Sequence, residues 1–215
     1  MTNTEKPAIG FIGLGLMGSA MVERLQSLGY PMTVIAHKKR EAVEAAVTRG
    51  AVEAKSPGEL ARASQIVMLC VDTSASVEAN MYGPEGVIEN IRPGSLVIDF
   101  GTSIPQSTLK LEAVLKVKGS SMMDAPLGRT PAHAIDGLLN IMSAGSEEDF
   151  NRAKPVFEDL GENVFHVGTI SVGHTLKLIN NFFAMTTVCA LSEAFAMADL
   201  AGKAHAAPPH SWKEA

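Results

Sequence analysis

Apolar and polar positions change rhythm twice along this chain. Over the first 168 residues, short apolar blocks alternate with amphipathic stretches. The apolar blocks at 8–12, 32–36, 51–54, 66–71, 96–100, 122–125, 138–143 and 163–167 have the length of strands. Between them the spacing turns helical. Met17, Met21, Leu25 and Leu28 recur four, four and three residues apart, which lines one helix face, and Gly29 follows as a C-cap residue. Residues 41–49 read as a helix closed by Gly50. Ser56-Pro57-Gly58-Glu59 has the form of a capping box with proline at the first helical position. Residues 102–105 lead into a helix reaching about Lys118, and Ser146 caps another that runs to Leu160. Strands alternating with helices predict an α/β fold, a doubly wound, mostly parallel sheet of Rossmann type.

From 171 to 202 the pattern becomes one long helix with no internal proline and no glycine after Gly173 until its end. Leu176, Ile179, Phe182, Phe183, Met185, Val188, Leu191, Phe195 and Met197 fall on several of its faces, and a helix apolar all round is normally buried. The expected organisation is a Rossmann-type domain over 1–168, a long interdomain helix over 169–202, and an unstructured tail over 203–215. The apolar faces are expected to find a second subunit, so that the 171–202 helix joins two chains into a homo-oligomer.

The first strand breaks into Gly13-Leu14-Gly15-Leu16-Met17-Gly18 and then a helix. Gly13 permits the tight turn, Gly15 lets the backbone come close to a pyrophosphate, and Gly18 lets the helix pack on the strand. The helix N-terminus adds free N–H groups and partial positive charge. Cys70, Val71 and Asp72, at the end of the fourth strand, complete the expected cofactor contacts on this side. The second strand ends in Ala36-His37-Lys38-Lys39-Arg40. An acid there would take the ribose 2′-hydroxyl of NAD. This turn holds cations instead, which suits the 2′-phosphate of NADP through His37, Lys38 and Lys39. NAD stays open as the alternative.

Composition narrows the partners. Net charge is −5 with no basic tract, which argues against nucleic acid. The two cysteines, Cys70 and Cys189, are far apart, and no histidine has metal-ligand spacing. The polar N-terminus lacks the pattern of a signal peptide, and no uninterrupted apolar run is long enough to span a bilayer. The reading is a cytoplasmic protein without metal or membrane partner.

Two clusters carry chemistry. Lys177 lies at the start of the long helix, with Asn180 and Asn181 three and four residues on, near the same face. An ammonium partly removed from water can exchange a proton with a substrate hydroxyl. A solvated lysine beside two surface amides has the same spacing. The second cluster is the run from Asp124 to Thr130, Asp-Ala-Pro-Leu-Gly-Arg-Thr, at a strand carboxyl end, where open α/β sheets bind ligands. Gly128 permits close backbone approach, Arg129 offers a planar fork to an anion, and Thr130 adds a hydroxyl. A loop with a solvent-facing arginine would look the same.

Four ordered segments make the pattern specific: the loop from Gly10 to Gly18, the run Asp99-Phe100-Gly101-Thr102, the Asp124-Ala125-Pro126 loop, and Gly173 to Asn181. Together they resemble the β-hydroxyacid dehydrogenase family, which includes 3-hydroxyisobutyrate dehydrogenase and tartronate semialdehyde reductase, over about residues 8–202. The resemblance implies that Lys177 is the general acid of reduction and general base of oxidation. It implies that Asn181 helps hold the substrate, that Thr102 lies on the nicotinamide side, and that the 124–130 loop takes the substrate carboxylate. The substrate would be a small anionic hydroxy acid or its semialdehyde. The family's usual loop reads Asp-Ala-Pro-Val-Ser-Gly-Gly. Leu127-Gly128-Arg129-Thr130 instead resembles the branch with sulfolactaldehyde reductase, although Ala184 stands where that branch can carry a serine. The family also continues into a helical C-terminal domain, most of which is absent from this sequence. The leading expectation is an NAD(P)-dependent oxidoreductase, and the alternative is a catalytically silent dinucleotide-binding module.

Overall fold

The computed structural model describes residues 6–37 and 40–202. Lys38, Lys39 and the expected tail at 203–215 lie outside the described residues. Two compact units are present, Met1–Lys177 and Leu178–Ala215.

The first unit is built on six parallel strands: β1 (Ile9–Ile12), β2 (Met32–Ile35), β3 (Val52–Ala54), β4 (Ile66–Leu69), β5 (Leu96–Asp99) and β6 (Ser121–Asp124). Their order is β3-β2-β1-β4-β5-β6, so the chain winds outward from β1 and then, starting with β4, outward the other way. The carboxyl ends of β1 and β4 therefore diverge, which is where doubly wound sheets bind ligands. Side chains alternate between the two faces, and both faces are covered. Ile66, Met68, Leu96 and Ile98 enter one core with α1 (Leu16–Ser27), α2 (Glu41–Thr48) and α8 (Glu147–Leu160). Val67, Leu69 and Val97 enter the other with α3 (Pro57–Ala63), α4 (Ser74–Met81), α5 (Val87–Asn90) and α6 (Pro105–Val117). This two-sided burial explains why the strands read as continuous apolar runs rather than as alternating ones.

A second sheet was not foreseen in the sequence. It has the order β7-β8-β9, from β7 (Leu127–Gly128), β8 (Leu139–Ser143) and β9 (Gly161–His166). β7 runs antiparallel to β8, and β8 parallel to β9. An isolated bridge, Asp124 to Ala144, ties this sheet to the end of β6. The short helices α4, α5 and α7 (Pro131–Asp136) also escaped the periodicity, because four to eight residues give it too little to act on. At the start of α3 the Ser56 hydroxyl accepts the Glu59 N–H as expected, but Glu59 returns its bond to the Lys55 N–H, one residue before the cap.

The last helix, α9 (Val172–Leu200), runs to where Gly202 turns left-handed. The division between the units falls inside it, after Lys177, rather than before it. The first turn is fastened to the sheet unit by hydrogen bonds to Asp124. In the second unit, Ile179, Phe182, Phe183, Thr186, Ala190 and Leu191 lie in one stripe, with Phe182 and Phe183 about 70% exposed. By length and composition α9 is long and apolar enough to cross a membrane, with mean hydropathy 1.3 over its most apolar window, although Thr186, Thr187 and Ser192 interrupt every run.

Candidate active site

The glycine loop and the end of β4 shape the first half of the site. Gly13 has φ +101°, and a Cβ there would run into the Cys70 carbonyl. A Cβ on Gly18 would meet the Gly13 carbonyl and the Phe11 ring, so this glycine sets how closely α1 lies on β1. A Cβ on Gly15 would meet nothing. That open space sits at the N-cap of α1, where no side chain caps the helix. A cavity of about 670 Å³ opens here, lined by Gly13, Leu14, Gly15, His37, Cys70, Val71 and Asp72 among the expected residues. Ile35, Val43, Ser76 and Asn80 line it too, and no motif in the sequence marks them. Leu16, Met17 and Gly18 are not in the lining. Leu16 is exposed, Met17 packs on the core, and Gly18 is buried. The uncapped helix end, the open Gly15 and a cavity of this size fit the pyrophosphate and adenosine of a dinucleotide.

Chemistry around the cavity is mixed. The Ser76 hydroxyl donates to Asp72 at 2.7 Å and, with nearby backbone N–H groups, holds that carboxyl below its ordinary value of 3.8. Burial, helped by the Asp99 charge, pushes the Cys70 thiol up to about 12, so it lines the wall as a neutral group. Arg40, the last cation of the basic turn, is committed to Glu53 at 3.0 and 3.1 Å and to Glu44 at 3.2 Å.

The second half lies at the ends of β5 and β6. Lys177 is half-buried, and its Nζ donates to the Leu127 carbonyl at 2.7 Å. Desolvation lowers its pKa below the ordinary 10.5. The helix bearing it is aimed by Asp124, whose carboxylate accepts the Ser171 N–H at 2.6 Å and the His174 N–H at 2.7 Å. Ser171 takes φ +76° to reach it. Gly173 makes the approach feasible, since a Cβ would press on the Met142 carbonyl and on Asp124 Oδ2. Asp124 is fully buried, and desolvation raises its pKa against the opposing pull of His174 and of those N–H donors.

The loop residues are placed more variously. Gly128 is close to the Asn140 side chain, so its small size admits β8. Arg129 adopts φ +76°, a region that favours glycine, the residue of the family's usual loop at this place. Its Nη1 donates to the Leu138 carbonyl and to Glu162 Oε2, each at 2.6 Å, so the fork meets a carboxylate of this chain. The Thr130 hydroxyl pairs with His133 Nδ1 at 2.7 Å. Thr102 is exposed on the loop after β5, between Gly101 and Ser103, which are both bonded to Asp99. Asn180 and Asn181 belong to the second unit, Asn180 exposed and Asn181 half-buried. Sequence reasoning missed His174, a fully buried imidazole among Asp99, Thr108 and Asp124. Its one available signal was its position directly after Gly173.

Strand order and glycine loop together define a dinucleotide-binding domain of the Rossmann class. Residues 8–168 match the NAD binding domain of 6-phosphogluconate dehydrogenase, and the chain belongs to that family. It is 36% identical over 187 residues to a 3-sulfolactaldehyde reductase of Escherichia coli K12, covering 87% of this chain and 62% of that protein. It is 35% identical over 190 residues to a 2-(hydroxymethyl)glutarate dehydrogenase of Eubacterium barkeri, covering 88% and 62%. The structure of Mycobacterium tuberculosis 3-hydroxyisobutyrate dehydrogenase with L-serine superposes with a TM-score of 0.82 at 26% identity, over 93% of this chain and 67% of that one. The chain thus spans about 62% of the length of these two curated relatives.

Proposed function

We propose that this chain serves an NAD(P)-dependent oxidoreductase that moves hydride between the nicotinamide and a short β-hydroxy acid or its semialdehyde. The observation that carries this reading is Lys177: a half-buried amine, held at 2.7 Å on the Leu127 carbonyl, at the carboxyl end of the sheet. The nicotinamide, when bound, supplies or accepts the hydride. Lys177 gives a proton to the nascent alkoxide in reduction and takes the hydroxyl proton in oxidation. Arg129 anchors the anionic end of the substrate by exchanging Glu162 for it, and Thr130 adds a polar contact. The relatives named above act, by their names, on small acids and aldehydes of this kind, which supports the substrate class. Turnover measured beside cofactor binding is the test. Binding without turnover on any such substrate would leave a dinucleotide-binding module alone.

NADP is the proposed cofactor. No carboxylate occupies the turn after β2, and His37 lines the cavity there. With Arg40 engaged by Glu53, the preference rests on His37, Lys38 and Lys39. NADPH is expected to bind more tightly than NADH in fluorescence titrations, and Ala36→Asp should move the preference toward NADH. Equal affinities, or tighter NADH binding by the wild-type chain, would refute it.

The apolar stripe of α9 is proposed to bind a second copy of the chain. Burying one large apolar side chain contributes roughly 1.5–3 kcal/mol, and Phe182, Phe183 and Leu191 offer three on one stripe. Light scattering at micromolar concentration should report a dimer or larger. Phe183→Asp should shift it to monomer, and a monomeric wild-type chain would sink the idea.

A further inference from the structure

Asp99, Asp124 and His174 are each fully buried, and they meet where three segments of the site join. Buried carboxylates are tolerated only when hydrogen-bonded or paired. Asp99 Oδ1 accepts the Gly101 N–H at 2.8 Å, and its Oδ2 accepts the Ser103 hydroxyl at 2.6 Å, so this carboxylate shapes the loop that carries Thr102. Asp124 shapes the start of α9 and opens the loop that holds Leu127. Between the two carboxylates stands the His174 ring. Its Nδ1 lies 2.9 Å from Thr108 Oγ1 on α6 and 3.9 Å from Asp124 Oδ2. Its Nε2 lies 3.7 Å from Asp99 Oδ2 and has no hydrogen-bond partner. One tautomer suits Thr108 and Asp99 together. If the Thr108 hydroxyl donates to Nδ1, the ring proton sits on Nε2 and faces the Asp99 carboxylate.

We infer that His174 is the positioning residue for Lys177, a reading that rests on Lys177 being the proton-transfer group. The ring lies one helical turn before Lys177 and is the part of that turn that reaches β5, β6 and α6 together. Through Asp99 it also ties the Lys177 helix to the Thr102 loop. Without it, the first turn of α9 keeps only its backbone bonds to Asp124, and Lys177 Nζ is free to leave the Leu127 carbonyl for water. His174 itself touches no reacting atom. It fixes where the amine sits and how dry it is.

Competitive acetylation of the full chain across pH, quantified at Lys177 by mass spectrometry, tests this without relying on turnover. In the wild type, Lys177 should titrate below 10.5. His174→Leu should move that titration up by about one unit as the amine regains water. Thr108→Val, which removes only the hydroxyl facing Nδ1, should move it the same way by less, and His174→Asn, which keeps a polar atom toward Thr108, should restore part of the shift. NADPH affinity should stay within a few fold in all three. A lowered titration that is unchanged in the folded variants overturns the positioning role and leaves the Lys177 reading standing. An ordinary titration in the wild type also overturns the positioning role, while the proton-transfer role of Lys177 is decided separately by the turnover of Lys177→Ala. Should His174→Leu fail to fold, the Thr108→Val result decides.

Discussion

Lys177→Ala is expected to lower turnover by roughly 10²–10⁴-fold, the usual range for a general acid–base group. Dinucleotide affinity should move little, because Lys177 lies on α9 and does not line the cavity beside Gly15. The pH profile sharpens the expectation. Desolvation disfavours the ammonium, so the amine becomes neutral below the ordinary 10.5. Oxidation needs the neutral amine, so its rate should rise with pH and reach half its plateau below 10.5. Reduction needs the ammonium and should fall through the same midpoint. Stability follows with a definite sign. Between the lowered folded-state pKa and 10.5 the unfolded chain binds more protons than the folded one, so the chain should gain stability as pH rises through that window. Lys177→Met, which keeps the stem and removes the charge, should flatten both the rate dependence and this stability gain. A variant with near-normal turnover would remove Lys177 from the mechanism.

Most of the parallel sheet can be read in the sequence because its strands are buried on both sides. Ile66 to Leu69 and Leu96 to Ile98 are apolar at every position, and the glycine loop and turn residues punctuate them. The three-stranded sheet resisted reading for the opposite reason. β7 is two residues long and forms because Gly128 admits Asn140 of β8, a contact set by the fold rather than by any local pattern. The site divides in the same way. Lys177 and the 124–130 loop stand out as candidates because spacing and resemblance mark them. That Arg129 is met by Glu162, and Arg40 by Glu53, could not be, since both pairs join residues distant in sequence. His174 is the sharpest case. A histidine after a glycine at a helix start looks solvent-facing, and only the fold brings Asp99 of β5, Asp124 of β6 and Thr108 of α6 around it.

Gly15 and Gly18 share a motif, yet the structure gives their substitutions opposite consequences. Gly15 stands at the N-cap of α1 with φ −74° and ψ −167°, an extended conformation open to any residue, and a Cβ there meets nothing within 4 Å. Gly15→Asp should therefore leave the fold intact. A carboxylate at an N-cap can accept a free N–H and interacts favourably with the helix dipole, so the melting temperature should hold or rise slightly. The same carboxylate would occupy the place of the pyrophosphate and repel it. Dinucleotide affinity should fall by about 100-fold or more, equivalent to about 2.8 kcal/mol at 1.4 kcal/mol per factor of ten. Gly18→Ala reverses the pattern. Its Cβ meets the Gly13 carbonyl and the Phe11 ring, so α1 must lift from β1, at a cost in stability of about 1–3 kcal/mol. Calorimetry and cofactor titration on the two variants separate the effects. A Gly15→Asp chain that melts normally and still binds NADPH and NADH at wild-type affinity would show that the phosphates do not sit at this helix end.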